Sequence, residues 1–412
     1  MTTARPFGSR FRLPGVLVTL LALAVGSPVF AQTDPPEDAH VLFESLALSP
    51  AFGLTEVGWD DNVLRVANTD RPTGDFTATF SAALQAWFRL QRVKMRGRSR
   101  FDFVYFDKFS QFRSIDSDNS AHVDLLLGRL TPYVEGTWTN TRERNFEIDI
   151  PVRRLESNVD AGVDVRLTGK TRVGVMTQRL ESDYNGETVY LDTNLAQYLN
   201  AVAKAGGVRF RFAATPFTTV GVDVEQNRST FPKAQERNSE GYRVMSVIEF
   251  QPLAQINGNA HVGITKRTFV DGGAPPFQGF AGRIDLAYTL LGRTRFGVDL
   301  LRDLSNSYRA DERDYLQTSV QLSVTEQIAS AWDLRGTVGH FTLAYATGDP
   351  ADATSPLTRT TETGMIYGAE LGYQMGRTRI AFQVERQTRT SEFSALRGYE
   401  QMRIMSSATY RF

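Results

Sequence analysis

Apolar and polar side chains alternate with a period of two along most of the chain. Between residues 76 and 91 every second position is Phe, Ala or Leu, and the intervening positions are mostly Thr, Ser, Gln and Arg. The same alternation recurs at 158–167, 255–265, 283–290 and 379–387. Successive side chains of a β-strand point to opposite faces, so the pattern predicts about 18 amphipathic strands, within a range of about 16–20.

The connections between the predicted strands alternate between short and long. Short connections are predicted near Arg92 and at 130–132, 168–170, 214–216, 251–254, 291–293, 328–331 and 375–377. Longer, more polar connections are predicted at 68–74, 113–119, 145–151, 183–199, 229–239, 269–278, 305–314, 347–360 and 390–398. This alternation is typical of outer-membrane barrels, which have short periplasmic turns and long external loops. We therefore predict an all-β fold, a transmembrane antiparallel up-and-down β-barrel over residues 51–412.

The polar faces of the strands decide which side of the barrel meets lipid. They carry Thr, Asn, Gln, Arg, Asp and Glu, which cannot form a dry core without many unsatisfied polar groups. We therefore expect the apolar faces to point outward into lipid and the polar faces to point inward towards water. A belt of aromatic side chains is expected at the periplasmic membrane interface. Its predicted members are Phe88, Tyr133, Phe212, Phe250, Tyr288, Phe296, Tyr373 and Tyr410.

The last eleven residues, 402–412, form an amphipathic strand that ends on Phe412. Outer-membrane barrels commonly close with such a strand, and the terminal aromatic ring lies at the membrane interface. We expect outer-membrane lipid and lipopolysaccharide to be partners, and the barrel-assembly machinery to bind this strand. The alternative is the last strand of a soluble β-sandwich.

Residues 1–31 have the pattern of a secretory signal peptide. Arg5, Arg10 and Arg12 precede an apolar stretch at 13–25, and small residues at 29–31 fit a cleavage site. Residues 32–50 are predicted to be a short periplasmic lead. The whole chain has 46 basic and 46 acidic side chains and no cysteine. This balance argues against nucleic-acid binding, and an exported chain without cysteine has no disulfide framework.

A ladder of basic residues on the polar face is the candidate functional feature. Its members are Arg89, Lys94, Arg96, Arg98 and Arg100. In a lumen they would form a positive stripe near the periplasmic mouth that selects anionic solutes or acidic glycans. The alternative is a structural role in which each arginine pairs with a carboxylate on a neighbouring strand. Candidate carboxylates are Asp160, Asp164, Asp223, Glu225, Asp299, Asp303 and Glu385.

The sequence offers no catalytic or cofactor signature. The adjacent Asp60 and Asp61 would point to opposite faces, so we interpret them as a surface turn. The four histidines, His40, His122, His261 and His340, lack metal-ligand spacing, and we predict His261 to be a solvated lumen residue. We therefore expect a protein that is not an enzyme and uses neither a cofactor nor a metal.

Two stretches resemble a known family. Residues 49–66 contain the step Trp59-Asp60-Asp61-Asn62, and residues 190–231 contain the turn Thr215-Pro216-Phe217-Thr218. Both are similar to segments of the putative β-barrel porin 2 family, some of whose members are associated with exopolysaccharide gene clusters. The resemblance implies a barrel in the bacterial outer membrane and a role in surface-polysaccharide export or anchoring.

Two functions follow from these expectations. One is a porin-like channel or an accessory barrel for exopolysaccharide export. The other is a closed barrel that binds surface glycans or partners through its outer loops, or is structural. The longest loop, 183–199, carries Tyr184, Tyr190 and Tyr198, which either fold inward as a constriction or cover a glycan.

Overall fold

Eighteen antiparallel strands form one closed wall. The structure is a computed structural model that describes residues 40–43, 45–251, 255–271, 276–347, 358–394 and 397–411. A short strand, β1 (His40–Phe43), pairs with the first wall strand. Two further short strands, β9 (Val189–Tyr190) and β10 (Thr193–Asn194), pair with each other in the loop at 185–200. The wall strands of the first half are β2 (Leu46–Asp60), β3 (Asp75–Leu90), β4 (Val93–Phe106), β5 (Ser114–Leu125), β6 (Leu130–Glu143), β7 (Val152–Arg166), β8 (Thr171–Tyr184), β11 (Ala201–Thr215) and β12 (Thr218–Thr230). Those of the second half are β13 (Ser239–Phe250), β14 (Ile256–Phe269), β15 (Phe277–Leu290), β16 (Thr294–Asn306), β17 (Asp314–Gln327), β18 (Trp332–Thr347), β19 (Thr358–Met375), β20 (Thr378–Ser391) and β21 (Tyr399–Arg411).

Each wall strand pairs with its neighbours in sequence, and β2 pairs with β21 to close the ring. The connections alternate strictly, so all short turns lie at one end, here called the short-turn end, and all long loops lie at the loop end. The predicted barrel of 18 strands is therefore confirmed. The predicted signal peptide at 1–31 and the terminal Phe412 lie outside the described residues.

Several boundaries differ from those that the sequence pattern predicts. The first wall strand begins at Leu46 rather than at residue 51. The turn predicted at 130–132 lies at 126–129, where Gly128 has a φ of 70° that favours glycine. Residues 114–119, expected in a loop, start β5. Serine, aspartate and asparagine occupy both faces of this stretch, so the apolar alternation that marks the other strands is missing there.

The wall is apolar outside and polar inside, as predicted. Phe, Leu, Ile, Val and Trp side chains are exposed on the outer surface of almost every strand, whereas Asp, Glu, Arg and Gln side chains are buried on the inner surface. Lipid, rather than water, suits such an outer surface. No helix in the part of the chain that the structure describes is long and apolar enough to cross a membrane.

Aromatic rings line the outer surface near the short-turn end, with one exception. Tyr288 stacks on Phe296 across β15 and β16, and Trp332 contacts Tyr373 across β18 and β19. Tyr133, however, is only 7% exposed and points into the lumen, where Arg209 lies over its ring. The prediction for Tyr133 was wrong because the misplaced turn at 130–132 shifted the expected start of β6.

Two more strand positions depart from expectation. Glu56 has a φ of 53° and forms a bulge in β2, which turns its carboxylate inward to accept a hydrogen bond from Arg403 at 2.7 Å. His261 lies on the inner face of β14, as expected, but it is only 5% exposed rather than solvated. The lumen is therefore crowded with side chains at these levels.

Candidate functional site in the barrel lumen

The predicted basic ladder lies on the lumen side of β3 and β4. Arg89 and Lys94 face each other across the short turn between these strands. Arg96, Arg98 and Arg100 follow along β4 towards the middle of the wall. The structure thus brings all five residues onto one strip of the wall that starts at the short-turn end.

Part of this ladder is neutralised by carboxylates. Arg100 donates a hydrogen bond to Asp102 at 2.9 Å, and Arg96 lies 3.9 Å from Asp124. Lys94 is the register partner of Asp124 on β5. Within the described part of the chain, no ion pair or hydrogen bond links the Arg98 side chain to another residue. A carboxylate on a neighbouring strand thus lies near Arg96, whereas Arg100 pairs with Asp102 on its own strand, and neither carboxylate was among those that the sequence suggested.

The rest of the inner wall is also laced with ion pairs. Arg209 binds both carboxylate oxygens of Asp164 at 2.9 and 3.0 Å. Arg211 contacts Asp223 and lies 3.1 Å from a Glu249 oxygen. Bidentate arginine–carboxylate pairs of this kind hold long side chains in fixed positions. The lumen wall is thus a largely charge-balanced polar surface, in which Asp164 and Asp223 pair with arginines outside the predicted ladder.

The loop between β6 and β7 crosses the lumen at the loop end. It meets the loop between β16 and β17. Not counting the strands that the two loops connect, six strands lie between them on one side of the ring and eight on the other. Glu147 accepts hydrogen bonds from the Ser307 hydroxyl at 2.5 Å and from the Tyr308 backbone N–H at 3.1 Å. Phe146 packs on Phe341 of β18 with 4.7 Å between ring centroids. These contacts span the barrel interior.

Two buried arginines fasten this crossing to the opposite wall. Arg389 on β20 donates to Asp149 at 2.8 Å and to the Phe146 carbonyl at 3.0 Å, and also binds Glu362. Arg397, in the loop between β20 and β21, donates to the Glu147 carbonyl at 2.9 Å and lies 2.5 Å from a Glu362 oxygen. Arg397 also contacts the Tyr308 hydroxyl.

We call these residues the outer cluster: Glu147, Asp149, Ser307, Tyr308, Glu362, Arg389 and Arg397. All are at least 90% buried. A buried ion pair of this kind is destabilised strongly when one partner is removed, because the other charge is left without compensation. The outer cluster therefore holds the loops together through buried hydrogen bonds and ion pairs, and it is not a solvated surface.

Burial changes the protonation of the loop groups. It raises the pKa of the Glu147 carboxyl to about 7, against the opposing effect of the Ser307 hydrogen bond and the Arg397 charge. It raises the pKa of Glu312, in the loop between β16 and β17, to about 7, with the Asp311 charge as a second cause. The Tyr308 hydroxyl has its pKa raised to about 12, also by burial, so it stays neutral.

The longest loop, predicted at 183–199, folds inward and contacts the outer cluster. We call the loops that meet across the lumen at this end the closure. Its Tyr190 donates a hydrogen bond to Asp149 at 2.9 Å and meets the Tyr308 ring at 5.0 Å. Leu195 and Ala196, in the short helix α1 (Leu195–Leu199), are fully buried against Ile148. Of the two sequence interpretations of this loop, the inward constriction is the one that the structure supports.

Two further loops complete the closure. Arg237, between β12 and β13, is 1% exposed and donates to backbone carbonyls of the loop between β16 and β17, including that of Ser307 at 2.5 Å. In the first loop, the Asn62 amide donates to the Val66 and Glu400 carbonyls and accepts the Val66 backbone N–H. Val63, inside this turn, is fully buried.

The step at Asp60 and Asp61 is not a surface turn. Asp60 is 2% exposed and accepts two hydrogen bonds from the Gln401 amide, both at 2.8 Å. Asp61 accepts the Met402 backbone N–H at 2.7 Å. The pair joins the first and last wall strands at the ring closure, a contact between residues too distant in sequence for the local pattern to show.

Sequence reasoning did not identify the outer cluster. Glu147, Glu362, Arg389 and Arg397 lie in or beside polar segments, where charged side chains are usually solvated. Phe146 and Ile148, flanking Glu147, are the one local signal, because an external loop has little reason to carry two large apolar side chains. Within the described residues, no group of three or more acidic or histidine side chains is arranged to hold a metal ion.

The fold and its polar lumen define a porin-like β-barrel of the outer-membrane type. The chain belongs to the putative β-barrel porin 2 family, whose model matches residues 48–412. The family that the sequence resembles is therefore confirmed.

Several solved structures are similar to this chain. OpdK of Pseudomonas aeruginosa, solved with vanillate, is 11% identical with a TM-score of 0.44, over 89% of this chain and 99% of that one. OccK5 (OpdH) of the same organism is 11% identical with a TM-score of 0.46, over 90% and 99%. OccAB4 of Acinetobacter baumannii is 9% identical with a TM-score of 0.46, over 89% and 98%. No curated protein sequence matches the chain.

The basic ladder leads to a first testable prediction. Replacing Arg96 and Arg98 together with Glu should shift the ion selectivity towards cations, because it reverses two charges on one strip of the lumen wall. The measurement is the reversal potential of the purified barrel in a planar bilayer under a salt gradient. Arg386→Glu, on the outer surface, is the control and should leave the potential unchanged. An unchanged potential in the double variant would remove the ladder from the selectivity of the channel.

Proposed function

We propose that this protein is a non-enzymatic channel of the bacterial outer membrane, closed at its loop end at rest, that passes small solutes when the closure opens. The observation that carries the proposal is the contact of Glu147 with Ser307 and Tyr308 across the barrel. A barrel of about 18 strands otherwise leaves an aqueous channel. The charged inner wall is suited to such a channel, whereas an apolar filling would suit a structural barrel.

The basic ladder supports an anionic solute. Arg98 has no partner among the described residues, and Arg89 and Lys94 lie beside it towards the short-turn end. A strip of this kind raises the local concentration of anions in a lumen whose walls have a low dielectric constant. Exopolysaccharide export, which the family resemblance suggested, would require the whole outer cluster to leave the lumen. A small solute requires only a local displacement.

A second candidate function is favoured by the buried ion pairs of the outer cluster. They would suit a barrel that stays closed and uses its external loops to bind glycans or partners. Arg397 and Arg389 share Glu362 in a site with almost no solvent exposure, and such a site is costly to open. The two functions differ in whether the intact protein conducts.

The test is conductance and liposome swelling with two loop replacements of equal length. Replacing residues 145–150 with six Gly and Ser residues removes Glu147 and the crossing loop. Replacing residues 107–112 in the same way alters a loop outside the outer cluster and is the control. We expect brief openings in the intact protein and the control, and continuous conductance after the first replacement.

The outcomes separate the candidates. An intact barrel that never conducts, together with a conducting 145–150 variant, would favour the closed binding barrel. A 145–150 variant that folds but does not conduct would contradict the channel proposal. Folding is checked in each case by a heat-induced shift in gel mobility and by β-type circular dichroism.

A further inference from the structure

Three cations lie side by side on the outer surface of the barrel. Lys204 on β11 is the direct register partner of Arg179 on β8 and of Arg228 on β12. All three side chains are exposed. Like charges directly opposite each other on one face of a sheet are destabilising. An external anion bound to the row would remove this repulsion between the three side chains.

Acidic neighbours compensate the row only in part. Arg179 donates to Glu181 at 2.9 Å. Glu240 is the register partner of Arg228, but no ion pair joins them. Within the described residues, the side chains of Lys204 and Arg228 form neither a hydrogen bond nor an ion pair. Two of the three cations are thus available to a ligand outside the barrel wall.

The height of the row on the barrel indicates what this ligand is. On the same three strands, a row of apolar register partners lies near the middle of the wall: Val175, Val208 and Val224. The cationic row lies four residues closer to the loop end, which is about 13 Å along a strand. With the usual strand tilt this is about 10 Å along the membrane normal, close to half of an apolar band of about 25 Å. The cations thus lie where hydrocarbon gives way to headgroups.

A shallow groove adjoins the row on its loop-end side. It has a volume of about 280 Å³, and its outward-facing lining includes Trp138, Asn140, Ser157, Glu181 and Asp183. Trp138 and Ser157 are register partners, as are Ser157 and Glu181, so the groove reaches the residue that pairs with Arg179. An exposed indole next to amide, hydroxyl and carboxylate groups suits a sugar ring, which has apolar faces and polar edges.

We propose that the row and the groove together bind the phosphorylated glycolipid headgroup of the outer leaflet. Phosphate oxygens would lie on Lys204 and Arg228, because lysine and arginine bind phosphate by charge-assisted hydrogen bonds. The sugar to which the phosphate is attached would lie against Trp138. The site faces away from the lumen, so its ligand is a membrane lipid rather than a transported solute. The anion also removes the repulsion within the row.

The test measures how much lipid A stays bound to the purified full-length barrel in detergent, by native mass spectrometry. The variant is Lys204→Gln with Arg228→Gln, and the matched control is Arg302→Gln with Arg386→Gln, two outward arginines elsewhere on the wall. We expect the variant to lose lipid A by about tenfold or more, because each basic residue contributes to binding an anionic lipid surface. The control should bind like the intact protein.

Three further arms decide the source of the anion. Dephosphorylated lipid A should bind about tenfold more weakly to the intact barrel. Trp138→Ala should weaken lipid A binding, and an excess of inorganic phosphate should not displace it. Full displacement by phosphate with no effect of Trp138→Ala would overturn the glycolipid assignment, and so would equal binding by the variant and control. The heat-induced gel shift identifies any variant that has not folded. Loss of channel conductance would not affect this site, because the site lies outside the lumen.

Discussion

Replacing Arg397 with Ala should convert a mostly closed barrel into a mostly open one. Arg397 joins three parts of the outer cluster: Glu362 on the wall, the Glu147 carbonyl and the Tyr308 hydroxyl. Its removal leaves buried Glu362 with one cation, Arg389, and the Ser391 hydroxyl as its remaining partners among the described residues. Losing one partner of a buried ion-pair network typically costs about 3–5 kcal/mol. In a closed state of moderate stability, this raises the open population by about 100-fold or more.

Single-channel recording of the purified barrel in a lipid bilayer checks this prediction. The open probability of the Arg397→Ala variant is compared with that of the intact protein. Arg386→Ala is a close control, because Arg386 lies on the same hairpin but pairs with Glu400 on the outer surface, where the two side chains are 59% and 53% exposed. Such exposed pairs contribute little. If the Arg397 and Arg386 variants open equally often, the outer cluster does not hold the channel closed.

The closure should also respond to pH through Glu147. Burial raises the pKa of its carboxyl to about 7, above the usual value of 4.5. A group with a raised pKa stabilises the closed form fully below its free value, and this contribution is lost as the pH rises through the raised value. The closed form should therefore weaken between about pH 4.5 and pH 7. Conductance at pH 8 should exceed that at pH 5 by about tenfold or more.

The groups around Glu147 oppose the effect of burial on its pKa only in part. Arg397 favours its carboxylate form, whereas Glu362 on the opposing wall disfavours it. The Ser307 hydroxyl and the Tyr308 backbone N–H donate hydrogen bonds to Glu147 and also favour its carboxylate form, but burial outweighs them. The two buried guanidiniums of Arg389 and Arg397 are already matched by Asp149 and Glu362. A third carboxylate in this site is therefore most stable when protonated.

Glu147→Gln should remove most of the pH dependence and leave the barrel closed at pH 8, because the amide mimics the protonated acid. Glu312, whose pKa burial also raises to about 7, stays in place and provides a weaker dependence of the same sign. Adding Glu312→Gln should remove this remainder. A conductance that still rises with pH in the double variant would show that the closure titrates elsewhere.

The strands were predictable because their information is local. Period-two alternation over 76–91 predicts both the strand and which of its faces points outward, since only one face is apolar. Where both faces are polar, as in Ser114–Leu125, the local rule no longer works and the strand start was missed. The misplacement of Tyr133 has the same origin, because a shift of one residue moves a side chain to the other face.

The basic ladder could be found from the sequence, but the partners of its members could not. Arg96 and Arg100 share a face by spacing alone, and Asp102 follows Arg100 on the same strand, whereas the contact of Arg96 with Asp124 depends on the register of β4 and β5. The outward row of Arg179, Lys204 and Arg228 is similarly invisible in the sequence. Its members lie on three strands, and only the pairing register places them side by side.

The sequence by itself determined an all-β chain of alternating faces, the alternation of short and long connections, and hence an inverted barrel with a polar bore. These properties depend on neighbours in the chain and on the period of a strand. The tertiary structure alone decided which loops meet across the bore. Glu147, Tyr308 and Arg397 come from loops far apart in sequence, and they meet because ring closure sets those loops around one lumen. Charged residues that the sequence alone places in solvated loops are buried and paired only because a loop from the opposite side of the lumen packs on them.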